Sequence, residues 1–326
     1  MNNILEVRDL VVSFASDGLK ERAIAVNGVS LSVPKGGIVG LVGESGCGKS
    51  VTSLSVMGLL ADNGRVESGE AWFGGEDLLK LPDKRLRDIR GNRISMIFQE
   101  PMTSLNPVLT IGRQVTEAIL RHSDMDRAAA RKRAVEMLDK VGIPEPDKRM
   151  WNYPHQLSGG MRQRVLIGMG MAMAPDLLIA DEVTTALDVS IEAQILRLMR
   201  DLQRAEGTSI LLITHNLGVV AELCDEVYVM YAGEVVEYCD VFTLFRACAH
   251  PYTKGLMASL PRMTPKGTRL HNIPGTIPNL RDMPEGCRFA PRCALATERC
   301  GREKPALKDV GGGHLCRCHR ESSMGN

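Results

Sequence analysis

Gly43-Glu44-Ser45-Gly46-Cys47-Gly48-Lys49-Ser50 is the stretch that decides how this chain folds. It follows a short apolar run, Ile38-Val39-Gly40-Leu41-Val42, and precedes helical spacing from Ser50 to Leu60. Strand, Gly-rich loop and helix form the context in which Gly-x-x-x-x-Gly-Lys-Ser binds phosphate. The glycines let backbone N–H groups turn inward as an anion nest. Lys49 can reach the β- and γ-phosphates of ATP, and Ser50 offers a hydroxyl to Mg²⁺. The helix beyond aims its positive end at the same phosphates. Cys47 fills a variable position of the loop. A tolerated small side chain accounts for it, and the alternative is a reactive thiol.

A second stretch completes the chemistry. Leu177-Leu178-Ile179-Ala180-Asp181-Glu182 is an apolar run that ends in two carboxylates. At the tip of a buried strand, Asp181 would hold Mg²⁺ through water, and Glu182 would act as general base toward the attacking water.

Composition bounds the class. The chain has 326 residues, room for about two domains. Hydrophobic residues make up 44%, enough for a sizeable core. Lys and Arg number 40 against 39 Asp and Glu, so nothing pulls the chain globally toward nucleic acid or anionic lipid. Met1-Asn2-Asn3-Ile4 leads into a strand pattern with no signal peptide. No apolar run reaches the roughly 18 residues that a membrane span needs. The longest, Val165 to Ala174, reads as a buried helix. Membrane contact is therefore expected only through a partner.

Residues 4–14 and 29–42 read as strands, as do 66–73 and 93–98. Helical spacing dominates from about 111 to 172, with Pro144 and Pro154 as breaks. Within it, Arg127 to Lys140 reads as a solvated face. Leu177–Ala180 and Ser209–Thr214 read as buried parallel strands. Val227–Tyr231 and Glu234–Tyr238 read as a hairpin turned at Ala232-Gly233. Pro251, Pro261, Pro265, Pro274, Pro278, Pro284 and Pro291 then crowd the chain, and regular elements are not expected through them.

Gly43–Ser50, Gln99, Leu157-Ser158-Gly159-Gly160-Met161-Arg162-Gln163, Leu177–Glu182, Ala186-Leu187-Asp188 and His215 occur in the order and spacing of ABC-transporter nucleotide-binding subunits. The resemblance covers residues 4 to about 245. It implies an α/β fold, the P-loop NTPase ABC cassette, with a mixed sheet core, an antiparallel β subdomain and a helical subdomain at about 100–172. The cassette would occupy residues 1–255 and a Pro/Cys-rich C-terminal extension residues 256–326. The resemblance also implies roles. Gly43, Glu44, Ser45, Gly46, Cys47, Gly48, Lys49, Ser50 and Val51 would cradle ATP, and Phe14 would stack on adenine. An ordinary edge aromatic remains the alternative for Phe14. Ser50, Gln99 and Asp181 would serve Mg²⁺. Glu182, His215 and Gln99 would position and activate water. Ser158 and Gly160 would meet the γ-phosphate held by a second cassette, and Asp188 would lie across that interface. Members of this family usually carry Pro after the paired acids. Here Val183 and Thr184 follow, which removes no catalytic atom.

Nine cysteines occur, and five of them crowd the C-terminus. His250-Pro251-Tyr252-Thr253, Ile273–Pro278 and Pro284–Cys293 resemble the extension of dipeptide and oligopeptide importer ATPases. Four thiolates suit Zn²⁺ or an iron–sulfur cluster. The resemblance points to a [4Fe–4S] cluster on Cys287, Cys293, Cys300 and Cys318, with Cys316 a substitute for Cys318. Cys224, Cys239 and Cys248 read as small core residues. Arg288, Arg292, Arg299, Arg302, Arg317 and Arg320 read as contacts to a partner or lipid, or as simple solubility.

The resemblance thus implies an ATPase that powers import of short peptides from the cytoplasmic face of the cell inner membrane. Its partners would be a second ATPase subunit, two transmembrane permease subunits and an extracytoplasmic peptide-binding protein. An importer of another solute, such as nickel, glutathione or an opine-like compound, is the alternative. A DNA-transaction ATPase is disfavoured. The interval from Gln99 to Leu157 is too short for a coiled coil, and the charge lacks a basic footprint.

Overall fold

The computed structural model describes residues 2–15, 22–98, 104–185, 187–260 and 272–320. Gln99 and Ala186 lie outside the described residues. The strands are β1 (Asn3–Phe14), β2 (Ala23–Pro34), β3 (Ile38–Val42), β4 (Gly64–Phe73), β5 (Glu76–Asp77), β6 (Ile94–Ile97), β7 (Leu177–Asp181) and β8 (Ser209–Thr214). They continue with β9 (Glu226–Tyr231), β10 (Glu234–Asp240), β11 (Lys308–Asp309) and β12 (Leu315–Cys316). The helices are α1 (Lys49–Val56), α2 (Asp83–Ile89), α3 (Ile111–His122), α4 (Arg127–Lys140), α5 (Pro146–Arg149) and α6 (Gly159–Met171). They continue with α7 (Val189–Glu206), α8 (Leu217–Leu223), α9 (Val241–Ala247), α10 (Pro251–Ala258) and α11 (Glu298–Arg302).

The chain divides into two compact units. The first comprises residues 1–4, 33–38 and 80–213. Its strands β6, β7 and β8 pair in parallel. Every residue of β7 and β8 is buried, as expected of parallel strands covered on both faces. Helices α3, α4 and α6 pack on one another, and α6 also packs on β6. Thr110 caps α3 and Asp126 caps α4, each accepting a hydrogen bond from a backbone N–H of the first turn. Helix α4 buries only Ala130, Ala134, Met137 and Leu138 and leaves its charged face in solvent, as its sequence predicts.

The second unit comprises residues 5–32, 39–79 and 214–326. One sheet runs β2-β1-β4-β5. Strands β1 and β4 pair antiparallel, with Leu5 opposite Phe73 and Phe14 opposite Gly64. A second run of strands, β3-β9-β10-β12-β11, begins with a parallel pair and continues antiparallel. The hairpin between β9 and β10 turns at Ala232-Gly233, with both residues at positive φ.

Three sequence expectations need correction. The strand expected over 29–42 is two strands, broken at Lys35–Gly37, where Gly36 takes a φ of +71°. Strand β2 also starts earlier, at Ala23. Regular structure persists beyond residue 250. Pro251 opens α10 at its first helical position, where the missing N–H costs nothing. The 18-residue α7 has an apolar stripe of Ile195, Leu196, Met199 and Leu202, with Asp188 as N-cap and Gly207 as C-cap. These are ordinary helix signals, but the expectation for Asp188 names only an interface role.

Candidate functional site

The phosphate loop leaves β3, whose five residues are all buried, and enters α1 directly. Glycine is required at two points. Gly43 takes a φ of +156°, and a Cβ there would stand 2.2 Å from the Met230 carbonyl oxygen. Gly48 takes a φ of +105°, and a Cβ would stand 3.0 Å from the Ala25 carbonyl oxygen. At these two positions the loop is therefore pressed against β9 and β2 with no room for a side chain. Lys49 is buried and folds back along the loop, donating from Nζ to Gly43 O at 2.8 Å and Glu44 O at 3.0 Å. Its ammonium thus lies over the concave backbone that a phosphate would fill. Ser50 and Val51 begin α1, so their amides sit at its positive end. Cys47 is fully buried, and burial pushes its thiol above the usual range despite the nearby Lys49. That environment fits the tolerated small side chain and disfavours a reactive thiol.

Two other predicted residues fall in the same unit. Phe14 ends β1 half-exposed, with its ring over Gly64. His215 is exposed and directly follows Thr214 at the end of β8.

The first unit carries the acid pair and the LSGGMRQ segment. Asp181 is buried at the end of β7. Glu182 follows at a φ of +50°, an uncommon conformation for a residue with a side chain. It is held there by its own N–H to Ile213 O at 2.8 Å, and its carboxylate accepts from Thr185 Oγ1 at 3.1 Å. Strain of this kind concentrates where a side chain must be aimed. Ser158 caps α6, accepting from Met161 N at 3.3 Å, and it is exposed. Gly160 packs on Ile191, which an added Cβ would approach to 3.1 Å. Asp188 caps α7, accepting from Ile191 N at 2.9 Å, and it is exposed too. The starts of two long helices, with Ser158 and Asp188 at their tips, thus face solvent.

The tail brings together residues that the sequence leaves scattered. Cys287, Cys293, Cys300 and Cys318 line one small cavity of about 20 Å³, together with His250 and Phe289. Cys316 does not line it. It sits on β12 near Cys239, so the structure separates it from Cys318. The all-thiol donor set fits either metal expected from the sequence. A single tetrahedral zinc, at about 2.3 Å per sulfur, would hold its thiolates roughly 3.8 Å apart. No three of these four sulfurs lie within 4.8 Å of one another.

Among the described residues, the set that does converge that tightly is Glu237, Cys239 and His314. Here Glu237, wholly buried, accepts from His314 Nε2 at 2.7 Å, Ala249 N at 2.5 Å and His250 N at 3.1 Å. Burial raises its pKa, but these hydrogen bonds outweigh that and hold the carboxyl below the usual range. The Glu237 carboxylate thereby joins the tail to β10, while His314 Nδ1, on the other side of the ring, is buried without a hydrogen-bond partner.

Three tail arginines also differ from expectation. Arg288 pairs with Glu234 at 3.2 Å and donates to the Ala232 carbonyl. Arg292 pairs with Glu44 of the phosphate loop at 2.8 Å. Arg317 donates to Val235 O and Pro305 O. They are structural and inward-facing rather than solvating. Arg299, Arg302 and Arg320 are the exposed ones, the first two in local pairs along α11.

Comparison with known proteins follows the same division. Residues 26–185 match the ABC transporter family, and residues 236–300 match the oligopeptide/dipeptide transporter C-terminal region. The Dipeptide transport ATP-binding protein DppD of Escherichia coli is 48% identical, across 97% of this chain and 96% of that protein. The Oligopeptide transport ATP-binding protein AppD of Bacillus subtilis is 50% identical, across 98% of this chain and 97% of its own length. Among solved structures, the dimeric ATP-binding cassette MJ0796, bound to ADP and Pi after hydrolysis, is similar with a TM-score of 0.65 and 27% identity. That similarity covers 73% of this chain and 98% of MJ0796.

Proposed function

Because this chain belongs to the ATP-binding proteins of ABC transporters, we propose that it is the ATPase subunit of an importer of di- and oligopeptides. The observation that carries the peptide cargo is the tail. Residues 236–300 match a C-terminal region defined for oligopeptide and dipeptide transporters, and relatives named for those cargoes align along nearly the whole chain.

ATP would lie on the phosphate loop, its β- and γ-phosphates on Lys49 and its Mg²⁺ on Ser50 and, through water, Asp181. Phe14 would face adenine. Glu182 would take the proton of the attacking water, with His215 and Gln99 orienting that water. Ser158 is exposed and Gly160 half-buried at a helix N-terminus, a ready anion site. They would close on the nucleotide of a second cassette while Asp188 faces the same interface. MJ0796 is a precedent for cassettes that pair. Closure would drive two permease subunits, supplied by an external peptide-binding protein, and hydrolysis would reset them. No helix among the described residues is long and apolar enough to cross a membrane, so the chain would work at the cytoplasmic face through those permeases. We take residues 1–255 as the nucleotide-binding domain and 256–326 as the importer-specific extension.

Cys287, Cys293, Cys300 and Cys318 would hold a [4Fe–4S] cluster, which supplies a four-point crosslink to a proline-rich segment unable to build its own core. Iron and sulfide at four each per chain would support it, and stoichiometric zinc in a colourless protein would overturn it.

Uptake of labelled dipeptides by cells lacking this chain tests the cargo. Uptake should vanish and return with the wild-type chain but not with Glu182→Gln, which should still bind MgATP. Unchanged dipeptide uptake, with loss of nickel or glutathione uptake instead, would overturn the peptide reading.

A further inference from the structure

Glu44 is the second residue of the phosphate loop, and its backbone N–H and its carboxylate are both held by residues far along the chain. Its backbone N–H donates to Tyr252 Oη at 2.9 Å. Its carboxylate accepts from Arg292 Nη1 at 2.8 Å. Arg292 is itself a fixed group. It is 9% exposed, and Nε donates to the Pro274 carbonyl at 2.9 Å. Its guanidinium carbon stands 5.7 Å from the centre of the Tyr231 ring. Tyr231 packs against Tyr252 and Phe289, with ring centres 4.7 and 5.1 Å apart, so the platform under the guanidinium is rigid. Arg292 also adjoins Cys293, one of the four cysteines around the tail cavity.

The charge of this arrangement is the informative part. A loop that wraps a triphosphate carries a carboxylate one residue after its first glycine. Unneutralised, that carboxylate would repel the anion that the loop exists to bind. The half-buried position makes the repulsion stronger than it would be in water. We propose that Arg292 is a positioning residue for the nucleotide: its guanidinium neutralises Glu44 and, with Tyr252, holds it off the phosphate nest. The C-terminal extension thereby sets the affinity of the phosphate loop. The proposal rests on ATP occupying that loop.

The test uses the full-length chain and measures MgATP and MgADP affinity by competition with a fluorescent nucleotide. Arg292→Met should weaken MgATP binding by about tenfold, the scale of one unneutralised charge repelling another across roughly 10 Å near a protein surface. The loss should be smaller for MgADP, which carries less charge. Arg292→Lys keeps the positive charge and should retain most of the affinity. The decisive variant is the double substitution Glu44→Gln with Arg292→Met. Removing the carboxylate should restore MgATP affinity to within about twofold of wild type, because nothing then needs neutralising. A double variant as weak as Arg292→Met alone would assign Arg292 a purely structural role and overturn the proposal. So would an Arg292→Met chain that binds MgATP like wild type. Wild-type protein that binds no ATP would instead overturn the nucleotide reading of the loop.

Discussion

The phosphate loop at residues 43–50 and the tail at residues 272–320 share one compact unit but are built by opposite means. The loop is held by backbone shape. Gly43 and Gly48 adopt positive φ and press against the Met230 and Ala25 carbonyls, and Lys49 bonds back to the Gly43 and Glu44 carbonyls. The tail has little regular structure and is held by side chains. Glu237 with His314, Glu234 with Arg288, and Glu44 with Arg292 join it to the cassette strands and loop. A backbone-built site tolerates almost no change at a few positions and much change elsewhere. A site built from buried polar pairs is sensitive at every partner, because each loss strands the other group.

The sharpest way to break this comparison is at Gly43. Gly43→Ala puts a methyl group where only 2.2 Å separates it from the Met230 carbonyl oxygen, at a φ of +156°. No rotamer relieves that overlap, because the colliding atom is backbone. The loop must shift, and the nest shifts with it. Nucleotide affinity should fall by at least a hundredfold, on the order of the loss when several amide contacts are misaligned together. Equilibrium binding of MgATP checks it. Near-wild-type affinity would mean that the loop is not shape-limited.

The same contrast explains what could be read from the sequence. Loop, acid pair and LSGGMRQ segment are local strings, and each announces its geometry through spacing alone. The helix caps at Thr110, Asp126, Ser158 and Asp188 are local too. The tail pairs are not. Glu44 and Arg292 lie 248 positions apart, and Glu237 and His314 lie 77 apart. A lone tail arginine therefore reads as solvation until the fold brings its carboxylate to it. Tyr252 was visible within His250-Pro251-Tyr252-Thr253, but its bond to the loop amide was not. The tail was legible as an importer extension through its local strings, His250–Thr253 and Pro284–Cys293, and its cysteines stood out as a group because thiols in fixed intervals have few other uses.

A smaller effect should appear on acidification, and its sign follows from burial. His250 is buried, and that burial depresses its pKa to about 4, against the ordinary value of 6.5. The unfolded chain takes up the proton first as pH falls, so the stability held by neutral His250 is complete above about pH 6.5. It drains away between there and about pH 4, amounting to about 3 kcal/mol. Glu237 acts in the same direction at lower pH, since a depressed carboxyl loses its contribution as it is protonated. Urea unfolding midpoints between pH 7 and 5 should fall for the wild type. They should fall less for His250→Asn, which can still cap α10 in place of the ring that accepts from Tyr252 N. Parallel slopes for the two proteins would remove His250 from the account.

The weakest predicted effect tests whether the tail depends on its pairs one at a time. His314→Ala takes the Nε2 donor from Glu237 but leaves the amides of Ala249 and His250 in place. The carboxylate is thus only partly stranded. The cost should be about 2 kcal/mol, the range for a hydrogen bond to a buried charged group. It should also be local. Residues 308–316 pair with β10 through β12 alone, so amide exchange there should speed up while the amides of β7 and β8, in the other unit, keep their protection. Exchange that accelerates equally in both units would mean that His314 supports the whole chain. The division between a backbone-built loop and a side-chain-built tail would then fail at the point where the tail meets the sheet.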